Sequence, residues 1–285
     1  IATSRVFSGF LNTANIHRLA GFFQNLQQTL FDIKGDAEGE IALLSPGLLN
    51  EYYPEHTYIA RYLGLLLVEG EDLIVQDGQA MVRTVAGAKP ISLLWNRLPS
   101  AMFDPLELNP TSMLGAAGLV QSLRDGALKT VNAVGAGVLE TRALMAFLPK
   151  IARARLGRGL ALPNIATWWC GQEAQRAHVL ENIERMMLGN AFSTTPLMSD
   201  PSTISVGTGK TELFELTQML KHAGRNYVGQ EAVTLSTTPA FENGQIVARP
   251  MCIRISLGRT ENGWAVMPGG YARISAGADA KALAM

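Results

Sequence analysis

Between Tyr227 and Ile274 the chain alternates extended runs with two Asn-Gly pairs, Asn243-Gly244 and Asn262-Gly263. An Asn-Gly pair between two strand-like runs supplies residues that tolerate positive φ, which a tight hairpin turn needs. The runs Tyr227–Leu235, Ile246–Leu257 and Trp264–Ile274, with Thr238-Pro239 read as a further turn, therefore predict a three-stranded antiparallel meander. Its strands carry Gln230, Glu231, Arg249, Arg254 and Arg273. A carboxylate, a carboxamide and several guanidiniums on neighbouring strands suit a polyanionic ligand with a polar ring. A nucleotide meets that description.

The chain has 285 residues, enough for two domains or one large one. It is 47% hydrophobic and 17% charged, yet no uncharged apolar run reaches the roughly 18–20 residues of a membrane span. The run LGLLLV stops at Glu69, and the stretch after Asn109 is broken by Pro110, Thr111 and Ser112. The expectation is a protein with a large core and no membrane partner. Lysine plus arginine number 24, as do aspartate plus glutamate. That balance argues against a nucleic-acid partner held mainly by phosphate contacts. Two cysteines, Cys170 and Cys252, make neither a disulfide framework nor a zinc pattern and suggest a reducing, cytoplasmic setting. The four histidines show no metal-ligand spacing, so no metal ligand is assigned. The chain starts at Ile1 without a visible signal peptide and ends in a small-residue tail, so both ends are expected to be boundaries of a longer protein.

In chain order, residues 14–34 repeat apolar side chains at helical spacing. A short buried strand over 40–44 leads to Ser45-Pro46-Gly47, and a second helix is expected over 55–65. Strand-like runs follow, one hairpin turning at Asp77-Gly78 and another run ending in PISLLWNRL. Strand, helix, strand is the alternation of an α/β layer. After an irregular stretch at 100–127, the run KTVNAV leads into Gly135-Ala136-Gly137 and a helix over 138–148. Strand, glycine turn, helix start is a place where anions bind, and equally a plain tight turn. Residues 150–159 read as a solvated basic helix face, ATWWCGQ at 166–172 as a packed corner, and 172–187 as a long amphipathic helix. A polar loop at 193–209 precedes VGTGKT. A phosphate-binding P-loop needs glycine where Ile204 stands, so this stretch reads as the lead-in to a helix over 211–223.

An ordered set of segments resembles the circularly permuted ATP-grasp family related to glutathionylspermidine synthases. They are LLSPGLLNEYYPEHTYIARYLG at 43–64, LVEGEDLIVQDG at 67–78, FDPLEL at 103–108, NAVGAGVLE at 132–140, LPNIATWWCGQ at 162–172, YVGQEAVTLSTTP at 227–239, and RPMCIR with VMPGGYARIS within 249–275. The resemblance implies an α+β fold, ATP-grasp-like, with two α/β lobes whose antiparallel sheets clamp a nucleotide. It divides the chain into an N-terminal lobe at 1–130 and a nucleotide-binding lobe at 131–285. The implied chemistry is ATP-dependent activation of a carboxylate as an acyl phosphate, then attack by an amine, with ATP and Mg2+ as cofactors. The partners would be small-molecule or peptide carboxylates and amines.

On that map Gln230 and Glu231 form the hinge that reads adenine or ribose, and Gly135 and Gly137 join them as cofactor-binding positions. Arg254, Arg273 and Arg97 are the implied catalytic arginines, facing phosphates or the substrate carboxylate. Asn50, Glu55, His56 and Asp104 are implied substrate-binding residues; for Asn50 and Glu55 a helix cap and a first-turn acid are the alternative. In two places the sequence departs from the family. Asn96 stands where a second arginine is expected, and Pro99, Ser100 and Ala101 stand where acids are expected. The family also has further segments before Ile1 and after Met285. The alternative is therefore a non-catalytic relative, a nucleotide-binding or scaffold module.

Overall fold

Ile41, Ala42, Leu43 and Leu44 form a run without a polar member, which suits a strand buried on both faces. The computed structural model describes residue 17, residues 19–197, residue 200, residues 202–205 and residues 210–275. Its chain divides into two compact units, Ile1–Ala136 with Ile255–Gly270, and Gly137–Arg254 with Tyr271–Met285. No helix among the described residues is long and apolar enough to cross a membrane.

The first unit contains α1 (Ala20–Lys34), β1 (Glu40–Leu44), α2 (Tyr53–Leu63), β2 (Leu66–Val68), β3 (Leu73–Gln76), β4 (Gln79–Thr84), β5 (Gly87–Asn96), α3 (Leu119–Arg124) and β6 (Lys129–Val131). α1 starts later than the expected residue 14; residues 14–16 and 18 lie outside the described residues. The sheet runs β2-β1-β5-β4-β3, with β6 also on β5. Within it β2, β1, β5 and β6 are parallel neighbours, whereas β3, β4 and the start of β5 pair antiparallel. The β3–β4 turn places Asp77 and Gly78 at φ +50° and +78°, as an Asp-Gly hairpin requires. Strand alternation then sorts the core. Ile41, Leu43 and Leu93 pack with Leu30 of α1 and Ala60 and Leu63 of α2, while Ala42, Leu44 and Leu94 pack with Phe103, Leu119 and Leu128. Both faces of β1 are thus sealed, and both its edges are paired, with β2 and with β5.

The second unit contains α4 (Arg142–Met145), α5 (Leu148–Leu156), β7 (Thr167–Trp169), α6 (Glu173–Glu181), β8 (Met186–Asn190), β9 (Ile204–Ser205), α7 (Lys210–Ala223) and β10 (Tyr227–Glu231). The sheet order is β7-β10-β8-β9 and every pairing is antiparallel. Cys170, Val179, Leu188, Leu216 and Leu220 form the core under α6 and α7. Buried Arg142 donates to the carbonyls of Asn190 and Thr195 and to Asp200 Oδ2 at 2.5 Å. Hydrogen bonds from Ser202 and then Arg142 pull the Asp200 carboxyl down to about 2.

Four expectations need correction. The first run, Tyr227–Glu231, does not belong to the meander; it is the inner strand of the second unit's sheet. The meander is built from β11 (Thr237–Glu242), β12 (Gln245–Thr260) and β13 (Gly263–Ile274). Thr238-Pro239 is therefore strand, not turn: Pro239 sits opposite Ala248 on the edge strand β11, where no ladder hydrogen bond is lost. The helix expected over 172–187 ends at Glu181, because residues 186–190 are needed as β8. The helix expected over 138–148 is instead a 3-10 turn, Ala136–Glu140, followed by the short α4 and then α5. Asn243-Gly244 does turn as the sequence requires, at φ +49° and +82°.

One close approach fixes β10. A Cβ added to Gly229 would lie 2.6 Å from Val179 Cγ2 and 2.8 Å from Cγ1. Val179 is fully buried and branched, so it has nowhere to swing. Gly229→Ala should lower the free energy of unfolding by about 1–3 kcal/mol through overpacking. Gly137 faces open space, and Gly137→Ala should stay within about 0.5 kcal/mol of the parent in the same denaturant titration.

Candidate functional site

The carboxyl ends of β1 and β5 lie side by side, with Leu44 opposite Asn96 and the Arg97 amide donating to the Leu44 carbonyl at 3.0 Å. Ser45 and Arg97 are therefore the first residues beyond the sheet on neighbouring strands. His56 reaches them from the first turns of α2. Its Nδ1 lies 2.9 Å from Ser45 Oγ, and Arg97 Nε donates to its Nε2 at 3.2 Å. A guanidinium has only donors, so Nε2 must be the unprotonated nitrogen. His56 is then a neutral imidazole whose Nδ1–H donates to Ser45 Oγ. Burial, at 3% exposure, pushes its pKa below the ordinary histidine value; the Arg97 charge adds to this and Glu55 opposes it. Glu55 Oε1 lies 3.8 Å from an Arg97 terminal nitrogen, a charge contact rather than a hydrogen bond.

Of the residues implied as substrate-binding or catalytic, the structure thus gathers Glu55, His56 and Arg97. Ser45 joins them, although sequence reasoning passed it over; its place directly after a fully apolar strand was the available signal. Asn50 lies in the same loop, where its Oδ1 accepts the Tyr52 amide at 2.9 Å and turns the chain into α2. Asp104 is elsewhere in the unit. It is fully buried, and its two oxygens accept the amides of Leu106 and Val120, bracing the start of α3. Gly135, at φ +87°, donates its amide to Ser100 Oγ at 3.1 Å, one of the positions where an acid was expected.

In the second unit, β10 carries Gln230 and Glu231 on opposite faces. Gln230 is buried and donates to Thr167 Oγ1 at 3.0 Å, tying β10 to β7. Glu231 is exposed, and its amide donates to the Ala166 carbonyl. Arg254 is exposed on β12, and Arg273 is half-buried on β13. Arg249 is committed within the sheet: its Nε donates to Glu242 Oε1 at 2.7 Å and its Nη2 to Oε2, which holds the Glu242 carboxyl below its ordinary range. Burial pushes the Cys170 thiol up to about 11, so it rests as an unreactive thiol in the packed corner. In the VGTGKT stretch, residues 206–209 lie outside the described residues.

A family model for the circularly permuted ATP-grasp type 2 proteins matches residues 1–275. The chain belongs to that family. It is 28% identical over 273 residues to an uncharacterized protein of Synechocystis sp., covering 94% of this chain and 56% of the relative. Two uncharacterized proteins of Mycobacterium tuberculosis are similar: one is 28% identical over 282 residues, covering 95% of this chain and 49% of the relative. The other is 29% identical over 257 residues, covering 90% of this chain and 28% of the relative. The chain thus spans about half the length, or less, of these relatives. Among solved structures, the apo form of a glutathione synthetase-like effector from Globodera pallida superposes with a TM-score of 0.51 at 13% identity, covering 95% of this chain and 64% of that one. That likeness shows the fold: mixed α+β with antiparallel sheets, as the sequence implied.

The neutral state of His56 gives this ATP-grasp chain a signed pH response. Its folded pKa lies below the ordinary histidine value, so the unfolded state binds the proton more readily. The stabilising contribution is complete above about pH 6.5, the unfolded histidine value, and is lost as pH falls through the folded value. Denaturant midpoints recorded between neutral and mildly acidic pH should therefore drop more steeply in the parent than in His56→Gln. Parallel curves would show that His56 is not buried as the neutral base.

Proposed function

We propose that this chain is the nucleotide-binding core of an ATP-dependent carboxylate–amine ligase. The observation that carries the reading is the family match over residues 1–275. The donor set supports it. Glu231 ends β10 with an exposed carboxylate, while Arg254 and Arg273 add cationic groups on the meander. A carboxylate reads a polar ring or ribose; guanidiniums stabilise a phosphoryl group in transfer. Gln230, the other hinge residue, ties the reading strand to β7 through Thr167.

In the proposed reaction a substrate carboxylate oxygen attacks the γ-phosphorus of ATP, ADP leaves, and an acyl phosphate forms. An amine then attacks the acyl carbon, phosphate leaves, and the nitrogen gives up a proton as the amide forms. Magnesium, when bound, would supply charge neutralisation for phosphoryl transfer. Among the described residues no group of three or more His, Cys, Asp or Glu side chains is placed to hold a metal ion. No step is therefore assigned to a metal held by these residues.

A second reading is a non-catalytic member of the family. It is favoured by Pro99, Ser100 and Ala101 standing at positions where the resemblance implies acids. Turnover separates the two. The ligase reading expects carboxylate-dependent ADP release from ATP and, with hydroxylamine as the amine, a hydroxamate product. ATP binding without ADP release under any carboxylate would favour the second reading.

Arg254→Ala should weaken ATP binding by about tenfold with an unchanged circular dichroism spectrum, as expected for an exposed charge-assisted contact. Unchanged affinity in the folded variant would remove Arg254 from the site. Glu231→Ala should lower the preference for ATP over GTP, measured by competition; an unaltered preference would remove Glu231 from base or ribose recognition.

A further inference from the structure

The first unit's parallel sheet has a point where its connections diverge. β1 leads through α2 to β2 on one side, while β5, its neighbour on the other side, leads onward to β6. In open α/β sheets the crevice beyond the strand ends at such a point is where ligands bind. Here the crevice is bordered by Ser45 after β1 and Arg97 after β5.

Arg97 is held in an unusual way. Its Nε is fixed by a neutral imidazole, which is itself anchored on Ser45. With neutral His56 as the Nε acceptor, no carboxylate hydrogen-bonds to Arg97 among the described residues, and the opposing charge comes from the longer Glu55 contact. Its two terminal nitrogens make no hydrogen bond among the described residues, and the side chain is 30% exposed. They form an end-on fork of N–H donors, the geometry that matches a carboxylate. The neighbouring opposite charge is Glu55, 3.8 Å away and 55% exposed. Glu69, across from Gly47, is engaged elsewhere, accepting the Asp72 amide to cap a 3-10 turn. A cation and an anion 3.8 Å apart, paired by charge but by no hydrogen bond, select a ligand carrying the reverse pair. A phosphate dianion on the fork would meet repulsion from Glu55.

We propose that Ser45, Glu55, His56 and Arg97 form a site for a zwitterionic α-amino-carboxylate, a ligand of the amino-acid class. The carboxylate lies on the Arg97 fork and the ammonium beside Glu55, one α-carbon serving both. His56 is a positioning residue: it acts through Arg97. This deepens the ligase reading by naming a substrate class, and rests on that reading only for why an amino acid would be there.

The test is calorimetric titration of the whole chain, without ATP, using L-alanine, propionate, ethylamine and inorganic phosphate as probes. L-Alanine is expected to bind about tenfold more tightly than propionate, the scale of one added charge contact, and ethylamine not at all. Glu55→Gln should remove that advantage and leave propionate unchanged. Arg97→Lys should abolish both, since an ammonium cannot present the fork. His56→Leu should weaken L-alanine by about tenfold and His56→Gln should restore most of it, because a carboxamide oxygen can again accept from Arg97 Nε. A purely structural His56 would show no such rescue. The proposal is overturned if phosphate binds as tightly as L-alanine, if L-alanine gains nothing over propionate, if Arg97→Lys binds normally, or if no probe binds. Because ATP is absent, turnover with no amino-acid binding, or binding with no turnover, tells failure of this site apart from failure of the ligase reading.

Discussion

The parallel pairing of β1 with β5 governs the first unit. β1 is apolar from Ile41 to Leu44 and β5 from Leu93 to Trp95, and alternation sends these side chains to two separate cores. Within those apolar runs no side chain is able to do chemistry. The polar groups of the site appear where these runs end, and the register Leu44 to Asn96 brings both ends to the same level. Ser45 and Arg97 are neighbours for that reason, although 52 residues separate them in the chain. His56 completes the group because α2 returns over the same edge to reach β2.

The second unit solves a different problem with antiparallel strands. β10 is flanked on both sides, by β7 and β8, so its backbone is fully occupied until Glu231. Gln230 spends its carboxamide on Thr167 inside the sheet. Only the strand's last residue emerges with an uncommitted side chain. Arg249 and Arg254 show the same contrast on β12: the first is neutralised by Glu242, the second is exposed.

Local chemistry was the legible part of this sequence. Asp77-Gly78 and Asn243-Gly244 turn where they should, because positive φ is a demand only a few residues meet. The buried strand at 40–44 was equally plain from its unbroken apolar run. Partner choice was not legible. Tyr227–Glu231 looks like any other strand, and nothing in its residues says that it pairs with β7 and β8 rather than with the meander. Thr238-Pro239 read as a turn because proline usually breaks a ladder, and the reading failed because β11 is an edge. At the site, Glu55 and His56 were visible as a polar pair, and the family resemblance pointed to Arg97. Their union through Ser45 depends on strand register, which spacing along a chain does not encode.

β5 is one strand with two allegiances. Its first residues belong to the antiparallel hairpin layer with β4, and its last belong to the parallel layer with β1 and β6. The exposed turn between β4 and β5, at Val85-Ala86, can lengthen without disturbing either. A single residue inserted within Gly87–Asn96 cannot be absorbed in the same way. It would exchange the faces of everything on one side of it, trading Leu93 for Leu94 between the two cores or carrying Arg97 away from His56. Evolutionary change in length is therefore expected to gather at the hairpin tip and to avoid this strand, whatever ligand the crevice takes.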